Sequence, residues 1–356
     1  MHEKYMKLAI QEAKKGLGRT FTNPLVGAVI VNNDQVIASG AHLEYGKEHA
    51  EINALSSYTA PDKRFDSILY VTLEPCNHDG KQPPCTQAII NSGIKQVVIG
   101  QLDPNPLVAG KGKKKLEQHG IKVITGVLET EARELNPFFN CFYEQNRPYI
   151  TLKQAITLDG KLSLDSKRTA ITGKDTYQYV RKERNHYQGI LVGSQTILTD
   201  NPFLLGTDQT LHPIRIILDR RGRLFNQLDL NIFINQASPV WIFTERKVKI
   251  KLPKHVEAIV LKSATVKSII KELTRRNIHS LYVEGGAKVH DCFLNSGYWD
   301  QMITYIAPKV IGGNGVPAMS STREVNQVIE LTNVTVESIH DDLRISGRRC
   351  WNCLLV

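Results

Sequence analysis

Apolar and polar positions alternate with two periods along the first part of the chain. Leu25–Val31 (LVGAVIV) and Gln35–Gly40 (QVIASG) are short apolar runs joined through Asn32-Asn33-Asp34. They predict a strand pair across a tight turn, because Asn and Asp are turn formers that tolerate positive φ. Glu48–Tyr58 has helical spacing, and Ser67–Leu73 (SILYVTL) predicts a buried strand. Pro84–Gly93 (PCTQAIINSG) carries proline at its start and glycine at its end, the asymmetry of a capped helix. A strand at Gln96–Gly100, a helix from about Gly112 to Gly120 and a strand at Ile121–Gly126 follow. The opening MHEKYMKLAIQEAKKGLG is an amphipathic helix. Such alternation implies a sheet covered by helices.

A second α/β series starts near Pro148. PYITLKQAITLDGK (148–161) predicts a strand leading to a turn. GILVGSQTILTDNP (189–202), PIRIILD (213–219), PVWIFT (239–244), SLYVEGG (280–286) and MITYIAPKVIGG (302–313) are further strand-like segments. The polar stretch Glu144–Arg147 is the candidate linker, giving domains at 1–145 and 148–356. No internal repeat is present.

Composition narrows the class. The chain has 356 residues, 41% of them hydrophobic, enough for two cores. It has no long uncharged apolar run, so no membrane span is expected. The N-terminus lacks an apolar signal core, which predicts a cytoplasmic protein. Six cysteines are sparse for a disulfide scaffold, so a local cysteine cluster points to metal or catalysis. The formal charge of +10 is scattered, with a local run only at Lys111–Lys115. That favours phosphorylated small molecules over nucleic acid.

The cysteine cluster is LEPCNHDGKQPPC, Leu73–Cys85. Cys76 follows Pro75 at a strand end. Cys85 opens a helix after Pro83-Pro84, and His49 and Glu51 open another. One imidazole and two thiols suit Zn2+ with one open position, where bound water loses proton affinity. Glu51 beside the metal would be the proton shuttle. On an ideal helix, residues two apart point roughly 200° apart, so His49 and Glu51 share a site only where a helix is starting. The competing reading makes the three ligands unrelated core or surface residues. Cys141 and Cys292 read as ordinary core residues. Cys350 and Cys353 form a Cys-x-x-Cys in RRCWNCLLV, which reads as a terminal strand with no second pair nearby. In the second half, VEGG (283–286) and VIGGNG (310–315) end strands in glycines, which permit close approach of a dinucleotide. No full Rossmann fingerprint accompanies them, so spacing alone leaves dinucleotide binding open.

His-x-Glu with Pro-Cys…Cys resembles the zinc-dependent cytidine deaminase superfamily. Most members separate the cysteines by two residues; here NHDGKQPP separates them by eight. With NPLVGAVIV before it and DPNPLVAGKG after it, the pattern resembles the deaminase half of the bifunctional riboflavin-biosynthesis deaminase/reductases, the RibD family. LKQAITLDGK, ILVGSQTILTDNP, YVEGGAKVH and APKVIGG are similar to the reductase half, whose fold is like that of dihydrofolate reductase.

The resemblance implies an α/β protein of two domains: an N-terminal cytidine-deaminase-like α/β/α sandwich and a C-terminal dihydrofolate-reductase-like domain. It implies deamination of 2,5-diamino-6-(5-phosphoribosylamino)pyrimidin-4-one, then NADPH reduction of the ribosyl chain to ribityl. It assigns Asn23 and His42 to the base pocket, and His78, Lys81, Asp103 and Asn105 to the neighbourhood of the ribose phosphate. In the reductase half it assigns Ala155, Thr196, Asp200 and the turn at Gly286 to NADPH. Arg184 and Glu284 are assigned to the substrate, with Lys153 in the same strand facing the ligand. A homo-oligomer is expected. The chain departs from the family twice. Ala170 stands where members carry a tryptophan, and Thr207 where they carry an arginine apt for the substrate phosphate. Arg168 is a candidate replacement for that charge. Two rival readings are a deaminase with a degenerate reductase half and a tRNA or nucleoside deaminase. Cysteines eight residues apart and a reductase pattern speak against the second.

Overall fold

Asn33 and Asp34 both adopt positive φ, 47° and 60°, and close the first hairpin. The structure, a computed structural model, describes residues 1–58, 66–77, 83–164, 169–208, 212–324 and 327–350. The chain divides into two compact units, Met1–Asn146 and Arg147–Val356.

In the first unit, α1 (His2–Ala13) precedes the hairpin β1 (Gly27–Asn32) and β2 (Gln35–Ala41). Then come α2 (Ala50–Ser56), β3 (Ile68–Leu73), α3 (Cys85–Ser92), β4 (Gln96–Gln101), α4 (Lys111–Gln118) and β5 (Lys122–Thr125). Two helices close it, α5 (Glu129–Glu134) and α6 (Pro137–Gln145). The sheet order is β2-β1-β3-β4-β5. β1 is antiparallel to both its neighbours, and β3, β4 and β5 are parallel.

Both faces of this sheet are covered, which is why its strands read as unbroken apolar runs. Ala28, Ile30, Leu69, Val71, Val97 and Ile99 face Ala50, Ala54, Ile89 and Leu116 of α2–α4. Val29, Val31, Tyr70 and Val98 face Tyr5, Met6 and Ala9 of α1. Each fully buried aliphatic side chain contributes about 1.5–3 kcal/mol, so the two layers are held independently of any ligand. Gly40 sets the height of α2: a Cβ there would lie 2.3 Å from the Ala54 nitrogen and 2.5 Å from the Ala50 oxygen.

The second unit begins with β6 (Tyr149–Thr157), β7 (Lys161–Leu164), α7 (Lys174–Arg184), β8 (Gly189–Gly193), α8 (Ser194–Asp200) and β9 (Ile214–Leu218). It continues through α9 (Asn231–Ile234), β10 (Val240–Thr244), β11 (Val256–Val260), α10 (Val266–Arg275), β12 (Ser280–Val283) and α11 (Ala287–Ser296). It ends with β13 (Gln301–Ala307), β14 (Gly315–Pro317), β15 (Leu331–Ile339) and β16 (Asp342–Arg349). The large sheet runs β11-β10-β9-β8-β12-β6-β13-β16-β15, and β7 pairs with β14. It is parallel from β11 to β13 and antiparallel at the β16–β15 edge.

Three local expectations change. Gln195–Asp200 is helix, not strand: Gly193 caps α8 and Ile197 is fully buried, so packing overrides its β-branched composition. Glu144–Arg147 contains the boundary between the two units, but its residues are ordered rather than a free polar stretch. α6 runs to Gln145, and Arg147 is buried in a bidentate pair with Asp300 at 2.6 and 2.7 Å. Cys292 is exposed on α11, whereas Cys141 is buried as expected. Cys350 follows the end of β16 and is disulfide-bonded; Cys353 lies outside the described residues.

Candidate active sites

His49 is the residue immediately before α2, with extended backbone at φ −75° and ψ 162°, and Glu51 lies in the first turn. The helix therefore starts where the two side chains can converge. Cys76 follows the end of β3, and Cys85 is the first residue of α3 after Pro84. His49 Nδ1 lies 3.2 Å from Cys85 Sγ and 3.5 Å from Cys76 Sγ. The three ligand atoms all fall within 4.8 Å of one another. A tetrahedral zinc site with ordinary Zn–N and Zn–S bonds has N···S edges of about 3.6 Å, so the triangle fits zinc in size and donor type. Three protein ligands leave the fourth position open.

The electrostatics suit the same use. The Cys76 thiol is pulled down to about 4, by its hydrogen bond with Cys85 and also by His49. Cys85 is pushed in the opposite direction by the Cys76 thiolate and by burial. A divalent cation would remove that conflict by taking both sulfurs as thiolates. Glu51 is buried, and burial raises its carboxyl to about 7. Such a group can both take and give a proton near neutrality.

Around the triangle, Asn23 Nδ2 meets His42 Nε2 at 3.1 Å, and His42 Nδ1 meets the Glu48 carbonyl at 2.9 Å. The His42 ring stands edge-on to His49, with centroids 5.5 Å apart. Asp103 is nearly buried and raised to about 7, mainly by burial. Its Oδ1 accepts the Asn105 amide at 2.8 Å, and Asn105 Oδ1 accepts that of Leu107 at 3.0 Å. These are turn contacts, and the Cys76 charge adds to the Asp103 shift. His78 and Lys81 lie outside the described residues.

The second unit contains a cleft of about 2500 Å³ at the C-terminal ends of its parallel strands. It brings together Ala155, Thr196, Asp200, Gly286, Lys153, Arg184 and Glu284. Open parallel sheets bind ligands at that end. Glu284, just beyond β12, accepts a fork from Arg184 at 2.6 and 2.9 Å and stands 3.7 Å from Lys153. Burial opposes the Glu284 charge, but Arg184 and Lys153 outweigh it and hold the carboxyl below its ordinary range. Burial draws the Lys153 ammonium downward. Gly286 precedes α11, a ten-residue helix whose start lines the cleft and suits a phosphate. Gly285 packs so tightly that a Cβ would meet Val289 at 2.5 Å. A cleft of this size with a helix start and strand ends is a fit for a dinucleotide. Ala170 also lines it, whereas Thr207 is exposed and does not.

Comparison with known proteins decides the family. Residues 148–345 match the RibD C-terminal domain, and residues 1–101 match the cytidine and deoxycytidylate deaminase zinc-binding region. The chain is 41% identical to riboflavin biosynthesis protein RibD of Aquifex aeolicus, over 97% of this chain and 98% of that one. It is 40% identical to RibD of Bacillus amyloliquefaciens, over 98% and 96%. The chain belongs to the RibD family. Two solved structures extend the likeness to the fold. One is a diaminohydroxyphosphoribosylaminopyrimidine deaminase/5-amino-6-(5-phosphoribosylamino)uracil reductase from Thermotoga maritima, with a TM-score of 0.87 at 41% identity. It is matched over 98% of this chain and 99% of that one. The other is Acinetobacter baumannii RibD, with a TM-score of 0.88 at 32% identity over the same shares. This RibD chain is a bifunctional deaminase and reductase of riboflavin biosynthesis that uses zinc and NADPH.

Three residues that support the first site were not evident in the sequence. Buried Glu74 accepts the amides of Asp103, Gly110 and Lys113 at 3.2, 2.9 and 3.0 Å, so it caps α4 and ties the β3 end to the β4 loop. Gly112 lets α4 approach: a Cβ there would lie 2.1 Å from the Pro75 oxygen, one residue before Cys76. Asn136 brackets Leu25 through its amide and carbonyl at 2.7 and 2.9 Å and so fixes the segment carrying Asn23. We expect Gly112→Ala to displace Pro75-Cys76 and weaken zinc about 10- to 100-fold, the usual size of a supporting-residue effect. Competition with a chelator measures it. Unchanged zinc affinity would show that the approach is not limiting.

In the second unit, Glu284→Gln leaves two buried cations with one neutral partner. The expected cost is about 3–5 kcal/mol, read as a lower Tm for the reductase unit. Because the Glu284 carboxyl is depressed, its contribution is present above the unfolded carboxylate range and disappears as pH falls through the lowered value. A Tm difference between parent and variant that stayed constant through that fall would contradict the pairing.

Proposed function

We propose that the first unit deaminates 2,5-diamino-6-(5-phosphoribosylamino)pyrimidin-4-one at its 2-amino group. The second unit then reduces the ribosyl chain of the product to ribityl. The observation that carries this reading is the buried triangle of His49, Cys76 and Cys85 with the Glu51 carboxyl beside it. Zinc held by those three residues supplies a Lewis acid that lowers the pKa of water at its open position. Glu51 would take one proton of the attacking water and deliver it to the ring nitrogen; it would then take the proton of the hydroxyl now on the ring carbon and pass it to the amine, so that the C–N bond breaks, the carbonyl forms and ammonia leaves. Asn23 and His42 orient the pyrimidine, their hydrogen bond fixing both side chains. Asp103 and Asn105 stand towards the ribose phosphate, and His78 and Lys81 are assigned there by resemblance alone.

In the second unit NADPH supplies the hydride. Ala155, Thr196, Asp200 and Gly286 hold the cofactor. Lys153, Arg184 and Glu284 bind and orient the ribosylamino chain, with the Arg184–Glu284 fork fixing both groups before substrate arrives. Ala170 offers little surface to pack on the cofactor. In this reading the enzyme is a cytoplasmic homo-oligomer with a phosphorylated pyrimidine as its small-molecule partner. Nucleic acid and membrane play no part: positive charge is scattered, and no helix among the described residues is long and apolar enough to cross a membrane.

A zinc determination combined with a two-step turnover assay tests the proposal. The expected result is about one zinc per chain. Ammonia should be released from the diaminopyrimidine, and NADPH should then be oxidised only after that product forms. Ammonia release without NADPH oxidation would reject the reductase half of the reading. Absence of both would reject the whole.

A further inference from the structure

The helix α7 presents Lys174, Tyr177, Arg181 and Arg184 to the cleft. Their spacing of three, four and three residues places them on one helical stripe. The two arginines differ in what they are free to do. Arg184 is committed: its Nε and Nη2 serve Glu284, and its Nη1 donates to the Leu205 carbonyl at 3.0 Å. Arg181 donates one hydrogen bond among the described residues, from Nη2 to the Gly206 carbonyl at 2.9 Å. That bond aims the guanidinium while leaving its remaining N–H groups available.

Charge points the same way. Lys153, Arg184 and Glu284 together carry a net charge of +1, and Glu284 already occupies both cations. A phosphate monoester near neutral pH carries close to two negative charges and needs fork-shaped donors that are not already taken. Arg181 raises the local sum to +2. The adjoining loop is held for it: Asn185, one turn further along the helix, accepts the Thr207 and Asp208 amides at 3.1 and 3.3 Å. It also donates to the Thr207 hydroxyl at 2.8 Å.

We infer that Arg181 is the cation that recognises the phosphate of the reductase substrate in this chain. It is a specificity-determining residue, one turn from the Arg184–Glu284 fork that holds the sugar. The inference rests on the reductase reading above and adds a residue that the family resemblance does not assign. Arg168, the candidate for this role from the sequence, lies outside the described residues.

Calorimetric titration tests it without requiring turnover. The probes are 5-amino-6-(5-phosphoribosylamino)uracil and the same compound after phosphatase treatment. Arg181→Ala should weaken the phosphorylated probe about 10- to 100-fold, the range of a lost charge-assisted contact, and leave the dephosphorylated probe unchanged. Arg181→Lys should recover part of the loss, because a point charge replaces the fork. An unchanged Tm in both variants separates recognition from folding. Equal losses on both probes, or no loss on either, would overturn the assignment. If the parent binds the phosphorylated probe in an Arg181-dependent way but never oxidises NADPH with it, the anion site stands and the reductase reading fails.

Discussion

Replacing Cys85 with Ser is expected to remove zinc and ammonia release together. Cys85 is fully buried as the first residue of α3, and its sulfur is 3.2 Å from His49 Nδ1. A serine hydroxyl fits the space but does not ionise in the range where a thiol does, and the thiolate is what binds metal. Two ligands then remain where the open tetrahedral site needs three. Removing even a supporting residue around a metal typically costs 10- to 100-fold, so loss of a ligand should exceed about 100-fold in zinc affinity. The layers of Ile, Leu and Val on both sheet faces do not depend on the metal, so the variant should keep its far-ultraviolet spectrum. Metal analysis and ammonia release are then read on a folded protein. Full ammonia release from a zinc-free Cys85→Ser protein would end the metal mechanism.

The metal triangle was legible because each of its members sits at an element boundary that the sequence announces. Pro75 precedes Cys76, Pro83-Pro84 precede Cys85, and the helical spacing after His49 marks the start of α2. The hairpin was legible for a similar reason, since Asn33-Asp34 specify a turn by chemistry rather than by context. What stayed hidden depends on partners distant in sequence. Glu74 carries no local signal, because its partners are backbone amides brought to it only when α4 folds. Asn136 lies 111 residues from Leu25, and no local pattern links them. Arg147 reads as part of a polar linker because Asp300, which neutralises it, is 153 residues away. α8 was misread for the converse reason: Thr196, Ile197 and Thr199 favour strand locally, and burial of Ile197 settles the matter. Arg181 belongs to this class too. One of several basic residues on α7, it is singled out only when the cleft shows which of them are already engaged.

Glu51→Gln is the substitution that separates holding the metal from moving protons. Glutamine has nearly the shape of glutamate and keeps one acceptor oxygen, so the buried space beside α2 stays filled. The three ligand atoms lie on other side chains, and zinc should remain near one per chain. What the amide cannot do is accept a proton from water and pass it on. A positioned general acid and base contributes roughly 10²–10⁴-fold, so ammonia release should fall by at least about 100-fold. Burial amplifies the loss. The position is almost closed to solvent, so bulk water gives a weak substitute for the missing carboxylate. The paired readout makes the outcome decisive. A Glu51→Gln protein that loses zinc as completely as Cys85→Ser would make Glu51 a ligand or a support for one. A variant that keeps both zinc and ammonia release would pass the proton work to another group, and one candidate is Asp103, whose buried carboxyl is also raised to about 7.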